Sequence, residues 1–145
     1  MKAEQFLEKI RKYDTLINNK LIECEQWKEM ALNTSANVGD GDNVQSSKNL
    51  HKMEDAVCRI VDIQNEIDAA VKGLIECKQR VISYIERLEP DDYDILHKLY
   101  VQYMDLQDVA DAYGKSYSLV IARKRNALDA LQEMLDREVK DENKN

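Results

Sequence analysis

Between Lys2 and Leu32 the apolar residues Phe6, Ile10, Tyr13, Ile17, Cys24, Trp27 and Ala31 recur at steps of three, four and seven. That spacing keeps them on the face of a helix that meets a second helix. Lys20 lies on the same stripe, Leu16, Leu21 and Met30 widen it, and Trp27 is its largest anchor. The pattern stops at Asn33. Residues 33–49 are dominated by Asn, Ser, Gly and Asp, which is turn chemistry with little apolar area, and they predict a flexible loop. Within it, Gly39-Asp40-Gly41-Asp42 begins like a calcium loop but lacks the further oxygen ligands and the closing glutamate, so no metal site is expected.

Periodicity resumes near Ser47 and runs to Glu89 through Met53, Val57, Ile60, Ile67, Val71, Leu74, Val81, Ile85 and Leu88, with Gln64 and Lys78 on stripe positions. At 1.5 Å per residue this second helix would be roughly 60 Å long against about 45 Å for the first. Residues 1–89 therefore predict an antiparallel, coiled-coil-like hairpin whose longer arm leaves part of its apolar stripe uncovered. Such a stripe calls for a second copy of the chain or another protein docking there.

Pro90 ends the helical pattern, and Asp91 and Asp92 are expected to cap a new helix. The domain boundary is placed there. Tyr93, Ile95, Leu96, Leu99, Tyr100, Tyr103 and Met104 predict one helix, and Leu106, Val109, Ala110 and Tyr113 a short second one halted by Gly114. Ser116, Tyr117 and Ser118 then supply hydroxyls to open a third, which carries Leu119, Val120, Ala127, Leu128, Leu131 and Leu135. Residues 137–145 read as a disordered polar tail. Ala110, Gly114 and Val120 carry the most specific signal. A helix-turn-helix needs a small residue where its helices meet, a residue tolerant of positive φ in the turn, and a branched apolar residue to lock the second helix down. The expected fold is all-α: a long helical hairpin followed by a small helix-turn-helix domain over 90–136.

Residues 91–135 resemble the region-four helix-turn-helix of sigma-70-type factors, through Leu106-Gln107-Asp108-Val109-Ala110-Asp111, the turn at Gly114 and Ser116, then Val120 and Ala127-Leu128. The whole chain, with its hairpin, Val44-Gln45-Ser46-Ser47, Met53 to Ile63 and Tyr100-Val101-Gln102-Tyr103-Met104, resembles small phage and prophage transcriptional regulators of the ArpU and RinA type from Gram-positive hosts. The resemblance implies binding of double-stranded DNA at a phage promoter, with late-gene activation as its setting and host RNA polymerase as a second partner. Three departures from the family pattern stand out. Lys115 follows the turn glycine where an apolar residue is usual, Ala122 and Asn126 replace basic residues, and Arg123 replaces an apolar one.

Composition agrees with helices, since the chain holds 4 Gly and 1 Pro and has few residues to turn short strands. Charge changes the picture more. The net charge of −7 forbids a protein coated with nucleic acid, so any DNA-binding charge must be local. Residues 90–136 hold five basic against nine acidic side chains, yet the window 112–128 holds Lys115, Arg123, Lys124 and Arg125 and no acid. The candidate DNA-binding residues are Lys115, Ser116, Tyr117, Ser118, Arg123, Lys124 and Arg125, on a recognition helix over about 116–128. The hydroxyls stand where a helix amino terminus meets phosphate or base edges, the basic residues neutralise phosphates, and one arginine could read guanine. A homodimer on two half-sites would compensate for so few charges per protomer. The competing reading for the same window is a solvated basic helix face, and for Tyr117 an aromatic packed on the preceding helix.

A reading from another class makes the chain an acidic helical inhibitor or interaction protein that binds host RNA polymerase or a nuclease without reading DNA. In a third, the hairpin is an assembly device alone. Catalysis has little support: His51 and His97 lack a spaced nucleophile, and no glycine-rich phosphate cradle exists. A non-enzyme without cofactor, metal or small-molecule substrate is expected. Cys24, Cys58 and Cys77 form no paired motif and read as small buried hydrophobes in a reducing compartment. No apolar run approaches the roughly 18 residues of a membrane span, and Met1 to Arg11 lacks the apolar block of a signal peptide. These features predict no membrane partner and a cytoplasmic location in the bacterial host cell.

Overall fold

Helical periodicity governs nearly the whole chain. The computed structural model describes residues 1–37 and 43–144. They form α1 (Ala3–Asn37), α2 (Asn43–Ile85), α3 (Pro90–Leu96), a π-helical turn (His97–Val101), α4 (Leu106–Tyr113) and α5 (Tyr117–Asn143). The fold is all-α, and the long helices α1 and α2 pack closely as a hairpin. Helix reaches Asn37 and restarts at Asn43, so both ends of the expected 33–49 loop are helical instead. Residues 38–42, with the Gly39–Asp42 run, lie outside the described residues. Contacts divide the chain into two compact units, one of Tyr13–Gly73 and one of Met1–Lys12 with Leu74–Asn145.

In the unit of Tyr13–Gly73, the stripe expected on α1 is the one that packs. Cys24 is buried, and Tyr13, Ile17, Lys20, Trp27 and Ala31 are half-buried. The stripe on α2 is half right. Met53, Ile60 and Ile67 face the seam, but the positions between them are the buried Ala56, Ile63 and Ala70. Val57, Gln64 and Val71, one residue further on, are exposed. The α2 side of the observed seam is wholly apolar and spares the chain the cost of burying an unpaired Gln64. Lys20 Nζ donates to Glu66 Oε2 at 2.7 Å, and Arg59 stands 3.6 Å from the other oxygen. The Lys20 hydrogen bond, then the two positive charges, hold the Glu66 carboxyl below its usual range. Cys58 is exposed, against the expectation of three buried cysteines, because it lies off the seam; Cys24 is buried and Cys77 half-buried.

The second unit shows why Pro90 is not a boundary. Its core joins Phe6, Leu7 and Ile10 of α1 and Val81 and Ile85 of α2 to Ile95, Leu96, Leu99, Val109, Ala110, Val120, Ala127 and Leu131. So short a segment as 90–136 has too little interior to bury its own apolar faces, and the root of the hairpin completes it. α2 ends at Ile85, before Pro90, in a turn closed by Leu88 N–H donating to Ile85 O at 3.0 Å. Pro90 takes the first position of α3, where its missing N–H costs nothing. Asp91 and Asp92 complement the dipole from inside that first turn; the N-cap is Glu89, with no side-chain cap bond.

The single helix expected over Tyr93 to Met104 breaks. A π-helical turn follows Leu96, Gln102 N–H donates to His97 O at 3.0 Å, and Tyr103 adopts φ 60°. The polar tail is not disordered either, since α5 continues to Asn143. Glu138 holds it by accepting from the Tyr84 hydroxyl and, at 3.0 Å, from Arg87 Nη2. These bonds keep the Glu138 carboxyl below its usual range. No helix among the described residues is long and apolar enough to cross a membrane.

Candidate nucleic-acid interface

Each end of α4 is set by a specific short motif. Asp105 is its N-cap: Oδ1 accepts from Asp108 N–H at 2.8 Å, and Asp108 Oδ2 accepts from Asp105 N–H at 3.3 Å. This reciprocal capping box satisfies two backbone donors with aspartate in both places. At the other end Gly114 takes φ 62° and ψ 35°. Lys115 N–H donates to Ala110 O at 3.0 Å and Gly114 N–H to Asp111 O at 3.2 Å, the bond pair of a Schellman stop. Ser116 then caps α5 with Oγ accepting from Leu119 N–H at 3.3 Å. Ala110 and Val120 are fully buried where α4 meets α5. All three residues of the sequence signal thus hold the expected places in a helix-turn-helix.

α3 braces this pair. The Tyr113 hydroxyl donates to Asp94, which also accepts from Lys98 Nζ at 2.9 and 3.0 Å. The Tyr113 bond first, then Lys98, hold the Asp94 carboxyl below its usual range. Burial and the Asp94 charge in turn push the Tyr113 phenol up.

The candidate residues divide into two groups. Lys115, Ser116, Tyr117 and Ser118 are all exposed at the head of α5, with Tyr117 at 46% rather than packed on the preceding helix. Arg123, Lys124 and Arg125 are successive, and turns of 100° per residue send them in three directions. Val120, Ala127 and Leu131 face the core. On the opposite side lie Ser118, Ala122, Arg125 and Asp129, all exposed. Arg123 is half-buried on one flank of α5. Lys124 turns back toward α1, its Nζ 3.9 Å from Glu4 Oε1 and 5.9 Å from the Tyr100 ring centroid. The outer face of α5 therefore offers Arg125 with Ser118, headed by Lys115, and it includes an acid, Asp129. Counting in steps of four and three from Ser118 places Ala122 and Asp129 on that face; the count of charges in a window does not.

Lys124 also borders a cleft of about 320 Å³ lined by Glu4, Glu8, Arg11, Tyr100 and Tyr103 among others. Its charges are largely matched from within: Arg11 stacks 5.1 Å from the Tyr103 ring centroid, and the Tyr100 hydroxyl donates to Glu4 Oε1 at 3.5 Å. Burial, then the Glu4 and Glu8 charges, push the Tyr100 phenol well up. No group of His, Cys, Asp or Glu among the described residues is arranged to hold a metal ion. Comparisons with protein-family models, curated proteins and solved structures return no match.

Proposed function

We propose that the chain is a DNA-binding transcription regulator that presents α5 to the major groove of double-stranded DNA. The observation that carries this reading is the helix-turn-helix itself: a capped α4, a left-handed Gly114 and an α5 whose first three residues are exposed and whose first turn is free of acidic residues. Backbone N–H groups and hydroxyls at that turn suit phosphate oxygens, and Arg125 on the outer face suits a phosphate or a guanine edge. Lys115, Arg123 and Arg125 neutralise phosphates, whereas Lys124 positions α5 against Glu4 and Tyr100. The resemblance of the whole chain to phage transcriptional regulators of the ArpU and RinA type supplies the setting, a phage promoter in the cytoplasm of a bacterial host. There a homodimer would occupy two half-sites and host RNA polymerase would stand alongside.

Binding of labelled promoter DNA across a salt series tests this. Three phosphate contacts in each of two protomers give a log–log salt slope of about −5. The Lys115→Ala, Arg125→Ala double variant should weaken binding and flatten the slope, while Lys124→Ala leaves the slope alone. Equal affinity and slope for wild type and the double variant would overturn the reading. Absence of any DNA shift, with co-purification of host RNA polymerase or a nuclease, would favour the acidic-surface alternative.

A further inference from the structure

α2 carries a second row of side chains beside the seam it shares with α1. The row starts at Leu50 and ends at Ile82, advancing by alternating steps of four and three, the spacing of a helix–helix seam. α2 is one uninterrupted helix over these residues, so the row belongs to that helix alone. Five of its six apolar members stand in solvent, Leu50 being 52% exposed, Val57 46%, Val61 48%, Val71 37% and Ile75 51%, and the last, Ile82, is half-buried. Isolated exposed valines need no explanation, but a periodic row of them does.

The row is self-complementary about Glu66. Val57 and Ile75 lie equally far from it on either side, as do Val61 and Val71, Gln64 and Asp68, Glu54 and Lys78, and Leu50 and Ile82. A two-fold interface demands such a pattern, because residue i meets j of the other copy and j meets i. We infer that α2 pairs antiparallel with α2 of a second copy of this chain, with the two-fold axis at the level of Glu66. Val61 then packs on Val71 of the partner subunit, Val57 on Ile75 of the partner subunit, and Gln64 hydrogen-bonds Asp68 of the partner subunit. At each end Glu54 meets Lys78 of the partner subunit. A parallel pairing would set Glu54 against Glu54, Asp68 against Asp68 and Lys78 against Lys78, so charge selects the antiparallel one. From Leu50 to Ile82 the row is about 48 Å long, a length over which two helix faces can bury the roughly 1,200 Å² that a stable pair requires. With the shared seam about 100° away on the same helix, the two hairpins would form a four-helix bundle.

Sedimentation velocity on the full chain without DNA tests this separately from the DNA-binding reading. Wild type should sediment as a dimer at micromolar concentration. Val61→Glu with Val71→Glu should give a monomer of unchanged helicity, since both side chains are exposed. Glu54→Lys and Lys78→Glu should each weaken association about tenfold, because each puts like charges together at both ends of the interface. Combining the two reversals should restore wild-type association, and these charge variants decide the matter if the glutamates unfold the helix. A monomeric wild type, a dimer indifferent to these variants, or a combined reversal no tighter than the single ones would overturn the inference.

Discussion

Gly114→Ala isolates the backbone requirement at the centre of the helix-turn-helix. Gly114 has φ 62°, and a Cβ built there meets nothing within 4 Å. The substitution therefore carries no steric clash with neighbours, only the local cost of a left-handed residue, about 1–2 kcal/mol. Part of this is offset because alanine also restricts the unfolded chain, by about 0.4–1 kcal/mol. The net loss should be about 1 kcal/mol, or about 3 °C in Tm for a chain of this length. Asparagine tolerates the left-handed region better, so Gly114→Asn should lose about half as much. Urea denaturation followed by circular dichroism measures all three proteins. A loss above about 3 kcal/mol would mean that the glycine is held by packing rather than by φ. No loss, or a larger loss for asparagine than for alanine, would mean that the left-handed stop is not needed.

Gly73 offers the opposite case, since a Cβ there would lie 2.7 Å from Tyr13 Cε1. Gly73→Ala should be neutral or destabilising in wild type, yet stabilise a Tyr13→Ala background by about 1 kcal/mol through helix propensity; a thermodynamic cycle from chemical denaturation reads the difference, and equal effects in both backgrounds would refute the contact. Asp94 should contribute to acid sensitivity. Its carboxyl is held low in the folded state, so its contribution is present above about pH 4 and lost as pH falls through the folded value. Asp94→Asn should cost about 1 kcal/mol near neutrality, a figure discounted for screening because the side chain is 41% exposed. The variant should also show a shallower fall of stability between pH 5 and 3 in denaturation series, and parallel pH profiles for variant and wild type would refute that role.

Much of the architecture could be read from residue order because it is local. The α1 stripe, the glycine stop at Gly114, the serine cap at Ser116 and the small Ala110 opposite Val120 depend on neighbours within a few turns, and each holds its expected place. The α2 seam was readable in principle, for Ala56, Ile63 and Ala70 complete an all-apolar register. Valines at Val57 and Val71 compete in any count of hydrophobicity, and only the packed helix distinguishes the two rows. The candidate site was less legible than the fold. The acid-free window and the exposed turn are visible in the chain, but the turning of Lys124 toward Glu4 joins residues 120 positions apart.

Local periodicity and turn chemistry are enough to specify a helical hairpin and a helix-turn-helix, because backbone hydrogen bonding and φ preferences act over a few residues. Which surfaces close into one core, where α5 ends and which basic side chains stay on its outer face depend on the first turns of α1 and the last turns of α2. Those contacts are long-range: Gln132 on α5 accepts from Ala3 N–H at 2.7 Å, and Tyr84 on α2 donates to Glu138. Pro90 interrupts a helix, which is a local event. A domain boundary is a deficit of contacts across a point, and here Ile85 and Ile95, on either side of the proline, pack into the same core.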